Sequence, residues 1–152
     1  MKKFNKKGFT LIEMLAVIAI IAVLVAIIVP AVGSSTIKAK ASTDAANLRS
    51  ALSAATIQYA SEGSVTAADI KVPASKVDSD YKYVLIYKNG DALEAYYTTA
   101  GTGATTGMSI AELSTIAETG NATEGTHYAK ATLPATTGTN PPATLVATIT
   151  CG

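Results

Sequence analysis

The feature that most constrains this chain is a run of nineteen uncharged, mostly aliphatic residues from Met14 to Val32. A helix needs about 20 apolar residues to cross the hydrocarbon core of a bilayer. Four lysines lie within the first eight residues, and lysines before an apolar span keep the start of a chain on the cytoplasmic side. The sequence therefore predicts a helix that inserts in a membrane and sends the following residues outward.

Two fates of this segment follow from general targeting patterns. One is a cleaved secretory signal, because Ala31-Val32-Gly33 has the alternating small residues of a signal-peptidase site. The other is a permanent anchor for an unrelated domain. The apolar core of a secretory signal has only about 7 to 15 residues. A carboxylate at bilayer depth costs ~2.5 to 3.5 kcal/mol. A permanent anchor gives no reason for this cost, because it leaves Glu13 without a role.

A third fate comes from a resemblance. The stretch Lys6-Lys7-Gly8-Phe9-Thr10-Leu11-Ile12-Glu13, followed by an aliphatic helix with Pro30, resembles the prepilin signature of type IV pilins and their pseudopilin relatives. In that family a membrane peptidase cuts after the glycine, N-methylates the new first residue and leaves the apolar helix attached. The resemblance implies that residues 1–8 are a basic leader, that Gly8 and Phe9 flank the cleaved bond, and that Phe9 becomes the methylated terminus.

The resemblance also gives Glu13 a role, as the acidic residue needed for assembly. Cleavage would create an ammonium group at Phe9, about one helical turn before Glu13. A carboxylate favours the first turn of a helix and an ammonium opposes it, so that Glu13 can neutralise the amine of its own chain or of a neighbour. The family favours the neighbour, whereas the sequence leaves both partners open. The pair is stronger in a filament core than in water if both charges are desolvated together.

Pro30 and Gly33 predict a weak point in the apolar helix. Proline cannot donate to the carbonyl four residues back and its ring clashes there, so we predict a kink or local melting near Ala26–Pro30, where a filament could stretch. The predicted organisation is a leader over residues 1–8, a transmembrane and filament-core helix over 9–33, and a globular head over 34–152.

The head is predicted to be α+β, with a helix and a small antiparallel sheet. Apolar residues from Ile37 to Tyr59 recur with helical spacing and predict an amphipathic helix over 35–62, with Asp44 off its apolar face. Gly63 is placed to end this helix. The long helix is expected to be apolar in its first half and amphipathic in its second, and to pack against three or four strands.

Local signals place the other elements of the head. An Asn89-Gly90 turn of type I′ predicts a hairpin of residues 81–87 and 92–99, in which Ile86 faces Leu93. Residues 100–107 are predicted to be loop and 121–142 irregular. Ser109-Ile110-Ala111-Glu112 has capping-box spacing and predicts a short helix ending near Gly120, and residues 143–150 predict a last strand.

The sequence holds little that indicates catalysis. His127 and Cys151 are the one histidine and the one cysteine, and their context matches no thiol-nucleophile pattern. No zinc spacing, calcium loop or phosphate-binding glycine motif is present, so we predict no enzyme activity, no metal and no cofactor. Without residues 1–8 the chain has eight Lys/Arg against eleven Asp/Glu, a formal charge of −3, and lacks the basic stripe of a nucleic-acid-binding protein.

The resemblance implies a structural function. The chain would be a type IV pilin that is inserted in the membrane, processed by a prepilin peptidase, and polymerised with copies of itself by the pilus machinery into a surface filament for adhesion, aggregation or twitching motility. Many pilins close the head with a disulfide loop. A single cysteine forbids that closure and favours a Gram-positive or otherwise disulfide-free pilin. The alternatives are a pseudopilin of a type II secretion or DNA-uptake system, and a signal-anchored or secreted binding domain or enzyme.

Overall fold

A computed structural model describes residues 9–102, 104–120, 131–134 and 143–152. The chain divides between Ser35 and Thr36 into two units with separate internal contacts. The described part of the first unit is the beginning of one long helix, and all remaining elements belong to the second. In chain order the elements are α1 (Leu11–Glu62), β1 (Tyr83–Asn89), β2 (Ala92–Thr98), β3 (Thr106–Ser109), α2 (Ile110–Thr119), β4 (Ala131–Thr132) and β5 (Thr144–Thr150).

Helix α1 ends where the sequence predicts. Gly63 has a φ of +68°, and its N–H donates to the carbonyl oxygen of Tyr59 at 2.9 Å. This left-handed conformation closes the last turn of a helix and is adopted readily by glycine, which has no Cβ.

The predicted apolar face of α1 in the head is confirmed. Ala41, Ala45, Leu48 and Ala55 are buried, whereas Ile37, Leu52 and Tyr59 are half-buried at the margins. The buried face is wider than predicted, because it also includes Ala51 and Asp44. The buried face of α1 thus consists mainly of small side chains.

The prediction that Asp44 lies off the buried face is wrong, because its side chain is 0% exposed. Ser75 Oγ donates to Asp44 Oδ2 at 2.6 Å, and the N–H groups of Lys76 and Val77 donate to the same oxygen at 2.8 and 3.0 Å. A buried carboxylate is stable when such donors replace its water. These donors come from a loop 31 to 33 residues later in the chain, so the pattern along α1 could not reveal them.

Among the described residues the sheet has five antiparallel strands in the order β4-β3-β2-β1-β5, rather than the predicted three or four. The last strand and α2 lie where predicted. Helix α2 begins with the predicted capping box at Ser109 and ends at Thr119, with Gly120 as its C-cap. The additional pairing comes from β3, which begins inside the segment predicted as loop, and from β4, which lies in the segment predicted as irregular. Thr106 pairs with Thr132 and Gly107 with Ala131.

The hairpin is present, but its predicted register is wrong by two residues. Ile86 pairs with Ala95 and Asn89 with Ala92, so the two loop residues are Gly90 and Asp91. Gly90 has a φ of +63°. In the described part of the chain, all residues with a positive φ are glycines. A type I′ turn at Asn89-Gly90 would need positive φ at both positions, whereas a turn with Gly90 first needs it once, as in type II′.

Both faces of the sheet are covered. Val84, Ile86 and Ala95 pack in the main core with the buried residues of α1. On the opposite face Tyr87 and Tyr96 are buried with Leu85, Leu133 and Ala143, and the two tyrosine rings meet edge to face with centroids 6.2 Å apart. The α+β class, with the long helix packed against a small antiparallel sheet, is confirmed.

Candidate functional site

The site predicted from the sequence lies at the start of α1. Thr10 precedes the first helical residue, and its N–H and Oγ1 both donate to Glu13 Oε2, each at 2.7 Å. In return, the N–H of Glu13 donates to Thr10 Oγ1 at 3.3 Å. These reciprocal bonds form a capping box, which satisfies N–H groups that the first turn of a helix leaves without an intrahelical partner.

The capping box uses only one of the two oxygens of the Glu13 carboxylate. Both hydrogen bonds from Thr10 reach one oxygen, so a cation can bind at the other without displacing Thr10. Phe9 is non-helical and 80% exposed, directly before the cap. Gly8, the other residue of the predicted cleavage site, lies outside the described residues.

Sequence reasoning missed the role of Thr10. The signal was present, because Thr10-Leu11-Ile12-Glu13 has the same S/T-x-x-E spacing that predicted the start of α2. In both helices the local pattern alone determines the cap, and both caps are formed.

The helix that follows this cap is apolar on every side. Sixteen large hydrophobic side chains are between 47% and 84% exposed: Phe9, Leu11, Ile12, Met14, Leu15, Val17, Ile18, Ile20, Ile21, Val23, Leu24, Val25, Ile27, Ile28, Val29 and Val32. Soluble monomers rarely expose apolar patches larger than a few hundred Å². Within the described residues α1 is long and apolar enough to cross a membrane, by length and composition alone. The segment therefore needs lipid or other protein around it.

Pro30 and Gly33 both lie inside α1, which continues through both residues. A Cβ added at Gly33 would meet no atom within 4 Å, so packing within the described chain does not require glycine there. The kink or melting near Ala26–Pro30, and the stretching of a filament there, stay predictions.

The structure supplies little for catalysis. No group of three or more His, Cys, Asp or Glu side chains that could hold a metal occurs within the described ranges. Cys151 is half-buried. Burial, and next the negative charge of Asp44, raise the pKa of its thiol to about 11, so the thiol is protonated at neutral pH and is a poor nucleophile. His127 lies outside the described residues.

Comparison with known proteins agrees with the features of the N-terminal segment. Residues 3–29 match the family model described as the prokaryotic N-terminal methylation motif. No curated protein and no solved structure matches the chain. The matched residues include Gly8, Phe9, the Thr10–Glu13 capping box and most of the exposed apolar helix. The chain therefore carries the prepilin signature of type IV pilins and pseudopilins.

Proposed function

We propose that this chain is the structural subunit of a type IV pilus. The observation that carries the proposal is the methylation motif at residues 3–29, which includes most of an apolar helix that no part of the described chain covers. A bilayer covers such a helix before assembly, and the helices of other copies cover it afterwards. This is a role in assembly, for which a reactive centre is not required.

The proposed sequence of events uses the residues at the start of the chain. The prepilin enters the membrane with its lysines inside, and the prepilin peptidase removes residues 1–8 and methylates Phe9. Methylation leaves the amine charged, so Glu13 pairs with the amine of a neighbouring copy as each subunit joins the filament. The finished filament lies outside the cell and serves adhesion, aggregation or twitching motility. The single cysteine favours a Gram-positive or otherwise disulfide-free pilin.

Mass analysis of the mature protein tests the proposal directly. We expect a chain that begins at Phe9 and carries one methyl group on its amine. A chain beginning at Ser34 would instead indicate ordinary secretion, and an intact leader would indicate a plain membrane anchor. Sheared surface filaments made mostly of this chain would support a pilin, whereas a correctly processed chain absent from surface filaments would support a pseudopilin.

Replacing Gly8 by valine is expected to block leader removal. The family peptidase cuts after a glycine, and a branched side chain at that position would obstruct the approach of the scissile bond to the enzyme. Immunoblotting of membranes should show only the longer, uncut chain, and Lys7→Val, which leaves Gly8 in place, should be processed. Filaments formed from uncut Gly8→Val chains would contradict the assignment of residues 1–8 as a leader.

A further inference from the structure

The solvent side of α1 in the head has few charges for an exposed helix. No charged residue lies between Arg49 and Glu62. The exposed positions in that interval are small or apolar: Ser50, Ser53, Ala54, Thr56, Ile57, Ala60 and Ser61. A solvated helix face normally carries charged and polar residues. Ile57 is 69% exposed and is the one large hydrophobic side chain of the described head that is exposed to this degree.

Ile57 borders a surface hollow at the end of α1. The hollow has a volume of about 420 Å³ and is lined by Ala54 and Ser61 of the helix and by Ile70 of the following loop. Gln58 fixes the loop against the helix, because its Oε1 accepts from the N–H of Thr66 at 2.9 Å and its Nε2 donates to Asp69 Oδ2 at 3.1 Å. These hydrogen bonds hold the loop, and with it the lining of the hollow, in place against α1.

The rim of the hollow is acidic. Glu62 and Asp69 both line it, and the last turn of α1 contains Glu62 and no basic residue. The carbonyl end of a helix already carries about half a negative charge, so a carboxylate there is locally unfavourable. Both carboxylates and the helix end therefore make the hollow attractive to a cationic partner.

The cations that match this rim occur on the same chain. Lys38 and Lys40 lie at the other end of the head part of α1, with the small, exposed Ala39 between them. We propose that the hollow is the contact site for a second copy of this chain, whose Lys38 and Lys40 face Glu62 and Asp69 and whose Ala39 region covers Ile57. The inference rests on the proposed function, and it names the surface through which heads of neighbouring subunits meet.

The geometry of this contact favours a polymer. A basic end that binds an acidic end is a heterologous contact. A bound pair then keeps one free acidic end and one free basic end, so the contact can repeat. Lys40 and Glu62 are 22 residues apart, which at a rise of about 1.5 Å per residue displaces neighbouring parallel helices by about 33 Å. In an isologous dimer, in contrast, both ends of both copies would be in contact, and no end would remain free for a third copy.

A charge swap tests the contact in cells whose only subunit is the full-length variant. Lys40→Glu alone and Glu62→Lys alone are each expected to lower the yield of sheared filaments by about fivefold or more, because like charges then face each other. The two changes together should restore the yield, since every copy meets a copy with both charges reversed. Asp91→Lys is the matched control, because it makes the same charge change at the exposed hairpin tip and should assemble normally.

The outcomes separate this inference from the proposed function. Normal yields from both single variants, or a double variant as poor as the worse single one, would overturn the contact while the unmutated chain still forms filaments. Failure of the unmutated chain to form any filament would overturn the proposed function.

Crosslinking gives a second measure of the contact. Two variants are co-expressed, Lys40→Cys and Glu62→Cys, each in a Cys151→Ser background. In filaments, a short thiol-specific crosslinker should join the two chains into dimers. No such dimers should form when Asp91→Cys replaces Glu62→Cys, and equal dimer yields from the two pairs would contradict the contact.

Discussion

Replacing Glu13 by alanine is expected to lower the yield of surface filaments at least about a hundredfold while leader removal continues. Without the carboxylate, each incoming subunit would bury the ammonium group of Phe9 without a partner. Breaking a buried charge pair by removing one member costs about 3–5 kcal/mol, and each 1.4 kcal/mol is a factor of ten in an equilibrium constant. Filament yield should be measured in cells without any unmutated subunit, with N-terminal mass as the measure of processing.

Two further variants separate the charge of Glu13 from its role as a helix cap. Glutamine serves in a capping box as glutamate does, so Glu13→Gln keeps the bond from the Thr10 N–H and loses only the charge. Thr10→Val removes the hydroxyl, which both donates to Glu13 Oε2 and accepts from the Glu13 N–H, and keeps the charge. If Glu13 acts by pairing with an amine, Glu13→Gln should fail as Glu13→Ala does.

The expectation for Thr10→Val is different. Loss of a capping side chain costs about 1 kcal/mol, so this variant should be processed and should assemble with a several-fold lower yield at most. Normal filaments from Glu13→Gln would contradict the charge pair and would leave helix capping as the function of Glu13. Normal filaments from Glu13→Ala would exclude both roles.

Replacing Asp44 by alanine is expected to have the largest effect on the stability of the head. The change would leave three buried or half-buried donors of the loop without their acceptor: Ser75 Oγ and the N–H groups of Lys76 and Val77. An unsatisfied buried donor costs about 1–3 kcal/mol, so we expect a loss of about 3–5 kcal/mol. Domains of this size are stable by only about 5–15 kcal/mol.

The effect of Asp44→Ala should appear in thermal unfolding of the full chain in detergent, followed by circular dichroism. One kcal/mol shifts the melting temperature of a small domain by about 3–6 °C, so a decrease of at least about 10 °C is expected. Amide hydrogen exchange at Lys76 and Val77 should accelerate more than exchange in β1. Asp91→Ala, at the exposed hairpin tip, is the control. An Asp44→Ala chain that melts with the control would show that other contacts hold the loop.

Several features of this protein follow from short-range interactions that a sequence displays. The glycine that ends α1 and the capping box of α2 each involve residues within one or two helical turns, and the apolar run after Glu13 is one continuous segment of the sequence. The Thr10–Glu13 cap belongs to the same class, and its spacing could have been recognised in advance. The apolar face of α1 was predictable for a similar reason, because burial against one layer repeats with the period of the helix.

Other features depended on residues far apart in the chain. Asp44 is buried because a loop more than thirty residues later supplies its donors, and β3 is a strand because β2 and β4 lie beside it. The hairpin register could not be derived from hydrophobic alternation, since a slip of two residues leaves every side chain on the same face of the sheet. The turn decided between the two registers, because a loop of Gly90 and Asp91 needs only one residue with a positive φ.

The sequence by itself thus determined the long apolar helix, its capped start and the α+β class, because these depend on local spacing and on the period of apolar residues. Tertiary structure alone decided the burial of Asp44, the number and register of the strands, and the hollow beside Ile57. The burial of Asp44 and the number of strands result from contacts between segments that are distant in the chain. The hairpin register and the hollow depend on the conformation of a turn and of a loop, and neither kind of feature leaves a periodic pattern in the sequence.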